Sequence, residues 1–305
     1  MELVGFGDLH LKPRNTAIKY DALELPPETD AVVVTGDIIH RTGPDDIEEG
    51  RKFFRRLNEF GRPIVCVPGN HDPLDHFESL IEEFETATLC HDQVVTIDNG
   101  QFDPSDSLTE HSFVGVGCEL SNCEPEISIL DFESLNPRTA TDRRYAADRA
   151  ASDLEDAVYQ HVCGNATESE LLDELNITPA EQSQFNAQLQ DTIEEYERIH
   201  SLLSAAEGQT VFLSHVPPYN TSLDRHHSIG QREADLEGLH VGSLGQKLAL
   251  RELRPIAALS GHSHNGKYQH GIGDKERPHL LNFDFQRPVR IRVDGVNDVF
   301  SFDFK

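Results

Sequence analysis

No run of apolar residues in this chain approaches the roughly 20 positions that a membrane-spanning helix needs. The first residues, Met1-Glu2-Leu3-Val4-Gly5-Phe6, have neither a basic segment nor a long apolar core, so no secretory signal is expected there. No membrane partner and a soluble cytoplasmic protein follow as expectations. CxxC pairs are missing too. The five cysteines (Cys66, Cys90, Cys118, Cys123, Cys163) are odd in number and scattered, which suits reduced thiols better than a disulfide framework or a thiolate zinc site. Cys118 and Cys123 could pair or chelate, but packing is their plainer role. Internal repeats and low-complexity segments are absent as well.

Basic residues are scarce. Lys and Arg number 26 against 54 Asp and Glu, most of the bases are Arg, and the net charge is −28. Tight nonspecific nucleic-acid binding feeds on clustered Lys and Arg, so it is not favoured, although a nucleic-acid substrate is not excluded. The charge is spread along the chain, which points to a salt-adapted, halophilic surface. Concentrated salt shortens the Debye length to about 3 Å near 1 M and quiets the self-repulsion. An acidic partner-binding surface is the other reading. Apolar residues make up only 37% of the 305 positions but fall in runs, so the chain folds and is long enough to bury a real core.

What is present begins with Val65-Cys66-Val67-Pro68-Gly69-Asn70-His71-Asp72. A β-branched run is stopped by Pro-Gly and followed at once by three polar, metal- or proton-handling side chains. Other runs end in the same way. The strand at 3–6 is followed by Asp8-Leu9-His10, and 31–35, apolar throughout as buried parallel strands are, by Gly36-Asp37. Strands near 210–213 and 256–259 deliver Ser214-His215 and Ser260-Gly261-His262-Ser263-His264. Weak helical character at 14–24 and helices at 44–57 and 75–86 alternate with the early strands, which predicts βαβ units and a parallel sheet.

Short strands near 94–97 and 112–115, with Asn99-Gly100 as a turn, precede an acidic stretch at 119–208 that lacks strand signals. Helices at 142–162 and 179–206 stand out there, the second with Thr178 as N-cap and Pro179 in its first turn. That stretch reads as a helical insertion, either a lid or association surface or a plain solvated elaboration. A helix at 242–254 follows, and the tail (268–270, 280–285, 289–293, 299–304) reads as an antiparallel sheet.

Taken together, the five strand ends carry Asp8, His10, Asp37, Asn70, His71, His215, His262 and His264. A lone Asp-x-His or Gly-Asp is an ordinary turn, and His-x-His can simply pack. All of them in order at successive strand ends can converge on one sheet edge, where α/β proteins bind ligands. Carboxylate, imidazole and amide oxygen suit Mn²⁺, Fe²⁺ or Zn²⁺. Seven ligands, with His71 beside Asn70 left over, exceed the needs of one ion and point to two, about 3.5–4 Å apart.

These blocks resemble the D-x-H, G-D, G-N-H-[DE], x-H and G-H-x-H blocks of the calcineurin-like metallophosphoesterases. His215-Val216-Pro217-Pro218-Tyr219 with Val241-Gly242-Ser243 further resembles the Icc-related branch of predicted phosphoesterases. The resemblance implies a four-layer αββα sandwich spanning the chain as one domain, with the 119–208 segment inserted in it. It also implies one ion, Mn²⁺ foremost, held by Asp8, His10, Asp37 and His264, and a second held by Asp37, Asn70, His215 and His262. Asp37 would bridge them, a hydroxide between the ions would be the nucleophile, and His71 would be the proton donor or a transition-state contact.

The family's longer G-D-x-x-D-R block would place an acid where this chain has His40, although Arg41 is present. Arg41 is a phosphate contact or a surface charge; Tyr219 stacks on a substrate ring or packs its loop; His226 and His227 reach the site or are solvated. The expected activity is hydrolysis of small phosphoric mono- or diesters. The alternatives are a DNA-processing nuclease of the same superfamily and a catalytically silent metal-binding interaction protein.

Overall fold

The structure is a computed structural model and describes residues 1–13, 19–97, 111–118, 125–225, 238–272 and 275–305. Cys123, His226, His227 and the Asn99-Gly100 turn lie outside the described residues. The early apolar runs become β1 (Glu2–Phe6), β2 (Ala31–Val34), β3 (Ile64–Cys66) and a short β4 (Ala87–Leu89). All four pair in parallel. Helices α1 (Pro44–Asn58) and α2 (Leu74–Ile81) supply the crossovers, as the early alternation predicts. Of the 14–24 segment, only a single 3-10 turn at Tyr20–Ala22 is described.

Two six-stranded sheets are stacked face to face. The first has the order β12-β11-β1-β2-β3-β4 and the second β5-β6-β7-β8-β10-β9. Their remaining strands are β5 (Gln93–Ile97), β6 (His111–Val116), β7 (Gln209–Ser214), β8 (Ala257–Ser260), β9 (Tyr268–Ile272), β10 (Lys275–Asn282), β11 (Val289–Asp294) and β12 (Val299–Phe304). Alternation divides each central strand between two cores. Leu3 and Val33 face Phe113, Leu213, Leu259 and Phe283 between the sheets. Val4, Phe6, Val32 and Val34 face Phe53, Phe54, Leu57 and Phe77 under α1 and α2. With apolar neighbours on both faces, these strands read as continuous hydrophobic runs.

The outer face of the second sheet is covered by α5 (Gln182–Ala205) and α6 (Leu244–Leu253): Ile199, Leu203, Ala249 and Leu250 pack on Val114, Phe212 and Ala258. This completes the four αββα layers. The acidic stretch also holds α3 (Arg143–Val162) and α4 (Glu168–Glu174), joined to the first half of α5 through Leu154, Leu171, Phe185 and Leu189. Helix α5 thus has two roles, since β6 and β7 pair in parallel and need a helical crossover between them. Its first full turn begins a few residues after the expected cap, and Thr178 instead donates through its hydroxyl to Glu181 at 2.6 Å.

Two sequence expectations are corrected. The tail is not one antiparallel sheet. Its first pair joins the second sheet, β10 running parallel to β8, and its second pair joins the first sheet beside β1. Cys118 is disulfide-bonded whereas Cys66, Cys90 and Cys163 are free, so reduced thiols throughout do not hold. Among the described residues, no helix is long and apolar enough to cross a membrane.

Candidate metal centre

The polar strand ends do not share one sheet edge; they meet across the seam between the two sheets. Asp8, His10, Asp37 and Asn70 follow β1, β2 and β3, while His215, His262 and His264 follow β7 and β8. To turn side chains into the seam the backbone bends sharply. Asp8, His10, Asp37, His262 and His264 all have φ between 45° and 67°, five of the eleven non-glycine residues with positive φ among those described. Such conformations are uncommon and strained, and they gather where function demands them.

Neighbouring loops hold them there. The Asp8 N–H donates to Gly36 O at 3.0 Å and the His10 N–H to Asp37 O at 2.9 Å. Gly36, at φ 91°, lies so close to the next loop that a Cβ on it would come within 2.5 Å of the Gly69 nitrogen. Asp72, the last of the three polar residues after Pro68-Gly69, ties these loops together. Its buried carboxylate accepts the N–H groups of Ile38 (3.2 Å), Ile39 (3.0 Å) and Gly69 (3.1 Å). Burial and the nearby Asp37 charge push its carboxyl up to about 7, against the pull of those three donors.

All seven proposed ligands are brought together. Asp37 Oδ2 lies 3.5 Å from His10 Nε2 and 3.6 Å from His215 Nε2, and its Oδ1 accepts the His71 N–H at 2.8 Å. Asp8 Oδ1 is 3.3 Å from His264 Nε2, and both Asp8 oxygens accept the His262 N–H, at 2.9 and 3.1 Å. His10 Nε2 and His264 Nε2 approach to 3.3 Å. His215 Nε2 lies 2.9 Å from Asn70 Oδ1, and its ring centroid is 5.1 Å from that of His262. Two groups, Asp8/His10/His264 and Asp8/Asp37/His215, each offer ligand atoms within 4.8 Å of one another.

The chemistry of this donor set fits divalent cations. Thr35 O can only accept, so the His215 Nδ1, 2.8 Å away, carries the hydrogen. The other ring nitrogen, Nε2, is thereby turned towards Asn70 Oδ1 at 2.9 Å and Asp37 Oδ2 at 3.6 Å. Imidazole nitrogen, amide oxygen and carboxylate oxygen gathered in this way suit a divalent cation, and a bond such as that to Thr35 O is how metal-binding histidines are oriented. Burial lowers His10 and His262 to about 4, leaving both imidazoles neutral and able to donate a lone pair. Burial would raise the Asp37 carboxyl, but His215, His10 and His71 around it hold it below the usual range. For His264, burial is outweighed by the Asp8 carboxylate and the ring is raised.

The remaining predicted residues fare differently. His71 packs edge-on against His10 with ring centroids 4.7 Å apart, so it stands beside the ligands. Its Nδ1 meets the main-chain oxygen of His40 at 2.8 Å. Arg41 is exposed one residue beyond His40. Tyr219 is not brought to the centre. It is 1% exposed, packed with Leu154, Leu244 and Leu248, its ring 5.7 Å from His240, and offers no free face to a ligand. Packing overrides what its Pro-rich loop suggests.

Two residues join the centre without having been singled out as functional. His40 stacks on His71 (5.9 Å, 11° between planes) and stands edge-on to His10 at 5.9 Å. Its place in the second block was the available signal. Phe285 lies 4.9 Å from His264 and 5.8 Å from His10; its setting, Asn282-Phe283-Asp284-Phe285, reads as plain strand alternation and gave no signal.

A cleft of ≈ 740 Å³ opens between β6, β7 and α5, lined in part by Asp92, Glu126, Asp191, Glu194 and Glu195, and none of the seven proposed ligands lines it. Arg198 also lines it but is engaged by Asp92 and Glu195. Glu126 sits over the start of α6, accepting from the Ser243 hydroxyl (2.5 Å) and the Leu244 N–H (2.7 Å), and burial raises its carboxyl to about 7.

Stacked mixed sheets with carboxylate, imidazole and amide loops at their seam define a metal-binding hydrolase of α/β architecture. The family model for calcineurin-like phosphoesterases matches residues 1–266, and the chain belongs to that family. It is therefore a metal-dependent phosphoesterase. Among solved structures it is similar to a phosphopantetheinyl hydrolase from Mycobacterium tuberculosis, at 14% identity and a TM-score of 0.49, over 93% of this chain and 89% of that one. No curated protein matches.

Proposed function

We propose that this chain hydrolyses small phosphoric mono- or diesters with two divalent ions, Mn²⁺ foremost and Fe²⁺ or Zn²⁺ as substitutes. One ion would be held by Asp8, His10, Asp37 and His264. The other would be held by Asp37, Asn70, His215 and His262. The observation that carries the reading is the seam itself, where His215 Nε2, Asn70 Oδ1 and Asp37 Oδ2 gather from three strand ends at 2.9 and 3.6 Å. Bound there, such ions make a water acidic enough to attack phosphorus and offset charge on the phosphoryl oxygens.

The chain's own groups do the rest. Asp37, kept ionised by its imidazole neighbours, supplies the negative charge shared between the two positions. His71 has its Nδ1–H fixed on His40 O, so Nε2 is the atom that takes up a proton from water and passes it to the leaving oxygen. The net charge of −28 disfavours the nuclease alternative, because a polyanionic strand would be repelled. The net charge of −28 supports a salt-adapted protein working in a cytoplasm rich in salt.

The test is turnover of bis(p-nitrophenyl) phosphate and of p-nitrophenyl phosphate in several molar KCl, with the metal content counted. Chelation should abolish turnover and Mn²⁺ should restore it. Asp37→Asn should lose at least one bound ion and nearly all activity. Full activity in that variant would overturn the assignment.

A further inference from the structure

Phe285 is unexplained by the ligand loops. It sits in the turn between β10 and β11, and the residues around it are pinned. Asn282 Nδ2 donates to Ser260 Oγ at 3.2 Å and also to Gly261 O. Phe283 is fully buried beneath Gly5, where an added Cβ would strike its ring. Asp284 Oδ1 accepts the Phe285 N–H at 3.0 Å, and its Oδ2 meets Arg287 at 3.0 Å. Gln286 takes a left-handed turn at φ 58° and donates through Nε2 to Leu9 O at 2.9 Å.

Between these anchors the Phe285 side chain is left 40% exposed. Its ring leans on His264 at 30° and on His10 at 43°, so one side meets two proposed ligands of the same ion and the rest faces outward. Among the described residues, the exposed large apolar side chains are Tyr145, Phe285, Val296, Val299 and Phe302, and of these only Phe285 is in ring contact with the centre. A chain with a net charge of −28 has polar residues in plenty to put at such a position. A ring serving only to shelter His264 would be covered by its neighbours, whereas this one is held rigidly and left open. A rigid aromatic face loses little conformational freedom when it binds another ring.

We propose that Phe285 is a specificity-determining residue, a platform at the mouth of the centre that stacks on a planar aromatic ring in the leaving group of the ester. This rests on the phosphoesterase reading above. The ring could belong to an aryl group or to a nucleobase, and stacking treats the two alike. No charge on the leaving group is needed.

The experiment compares substrates matched in size but not in planarity, with metal-loaded protein in high salt. Phenyl phosphate is set against cyclohexyl phosphate, and thymidine 5′-phosphate against its 5,6-dihydro derivative, each also as its methyl diester. In Phe285→Ala, KM for the planar members should rise about tenfold with kcat within about twofold, while the non-planar members stay within about twofold in both. Phe285→Trp should keep the preference and Phe285→Leu should lose it. A drop in the phenyl pair alone identifies an aryl ligand, and in the thymidine pair alone a base. Calorimetric binding of phenylphosphonate against cyclohexylphosphonate reads the same preference without turnover, and bound metal and Tm report that each variant is folded. Equal losses on planar and non-planar substrates, or no change in either, would overturn the platform. If no ester is turned over yet phenylphosphonate binds through Phe285, the phosphoesterase reading fails and the platform stands.

Discussion

The Nδ1–H of His71 donates to the main-chain oxygen of His40 across 2.8 Å. A carbonyl can only accept, so this bond fixes the tautomer and leaves Nε2 free to take or give a proton. His71→Gln should therefore lower kcat by about 10²–10⁴-fold, the range of general acid–base catalysis, while both ions stay bound. Rate and metal content measured on the same preparation check this. A loss of metal along with rate would make His71 a ligand instead.

Asp72 is a clamp between loops. Its carboxylate serves three main-chain donors in two of the ligand-bearing segments. Asp72→Ala would leave those N–H groups buried and unpaired, at about 1–3 kcal/mol for each one that stays unsatisfied. The expected result is a clearly lower midpoint in chemical denaturation and weaker metal retention, with the surviving folded fraction still showing native secondary structure.

Glu126 makes stability fall as pH rises. Its folded carboxyl sits at about 7 against an ordinary 4.5, so the fold favours the protonated form. The native state therefore binds a proton that the unfolded chain has released, and stability declines between those two values and levels above them. Glu126→Gln has no such proton. Its Tm should gain on the parent between pH 5 and pH 8 in calorimetry at fixed salt; a constant difference would refute the buried-acid account.

Salt should stabilise the protein. With −28 net charge, the folded chain repels itself at low ionic strength. Dialysis from several molar KCl to 0.1 M should lower Tm and promote unfolding, and restoring KCl should reverse it. A Tm indifferent to KCl would remove the salt-adapted reading.

Each of the seven proposed ligands was legible in the chain because it closely follows an apolar run. Strands such as β2 announce themselves by being apolar on both faces, and the polar group that ends them has nowhere to go but the strand end. What could not be read was which sheet each strand would join. Nothing in the alternation of β9 to β12 distinguishes a pair beside β8 from a pair beside β1, because that choice is made by contacts distant in sequence. The three-residue β4 was too short to register. Tyr219 misled because a polar ring in a Pro-rich loop looks available, and only the packed helices of 125–205 show that it is not. Phe285 was overlooked for the opposite reason: Phe283 and Phe285 share a strand-like period, yet only the first is buried.

Because the seven polar groups belong to two sheets, their spacing is set by how those sheets rest on each other. Phe283, Phe113, Leu213 and Leu259 fill that interface. Removing a few methylenes there would let one sheet settle against the other, carrying Asp8 and His10 past His264 without altering any of them. The precision of the chemistry is then a property of an oily layer that no substrate ever meets, and variation in that layer would retune the enzyme from beneath.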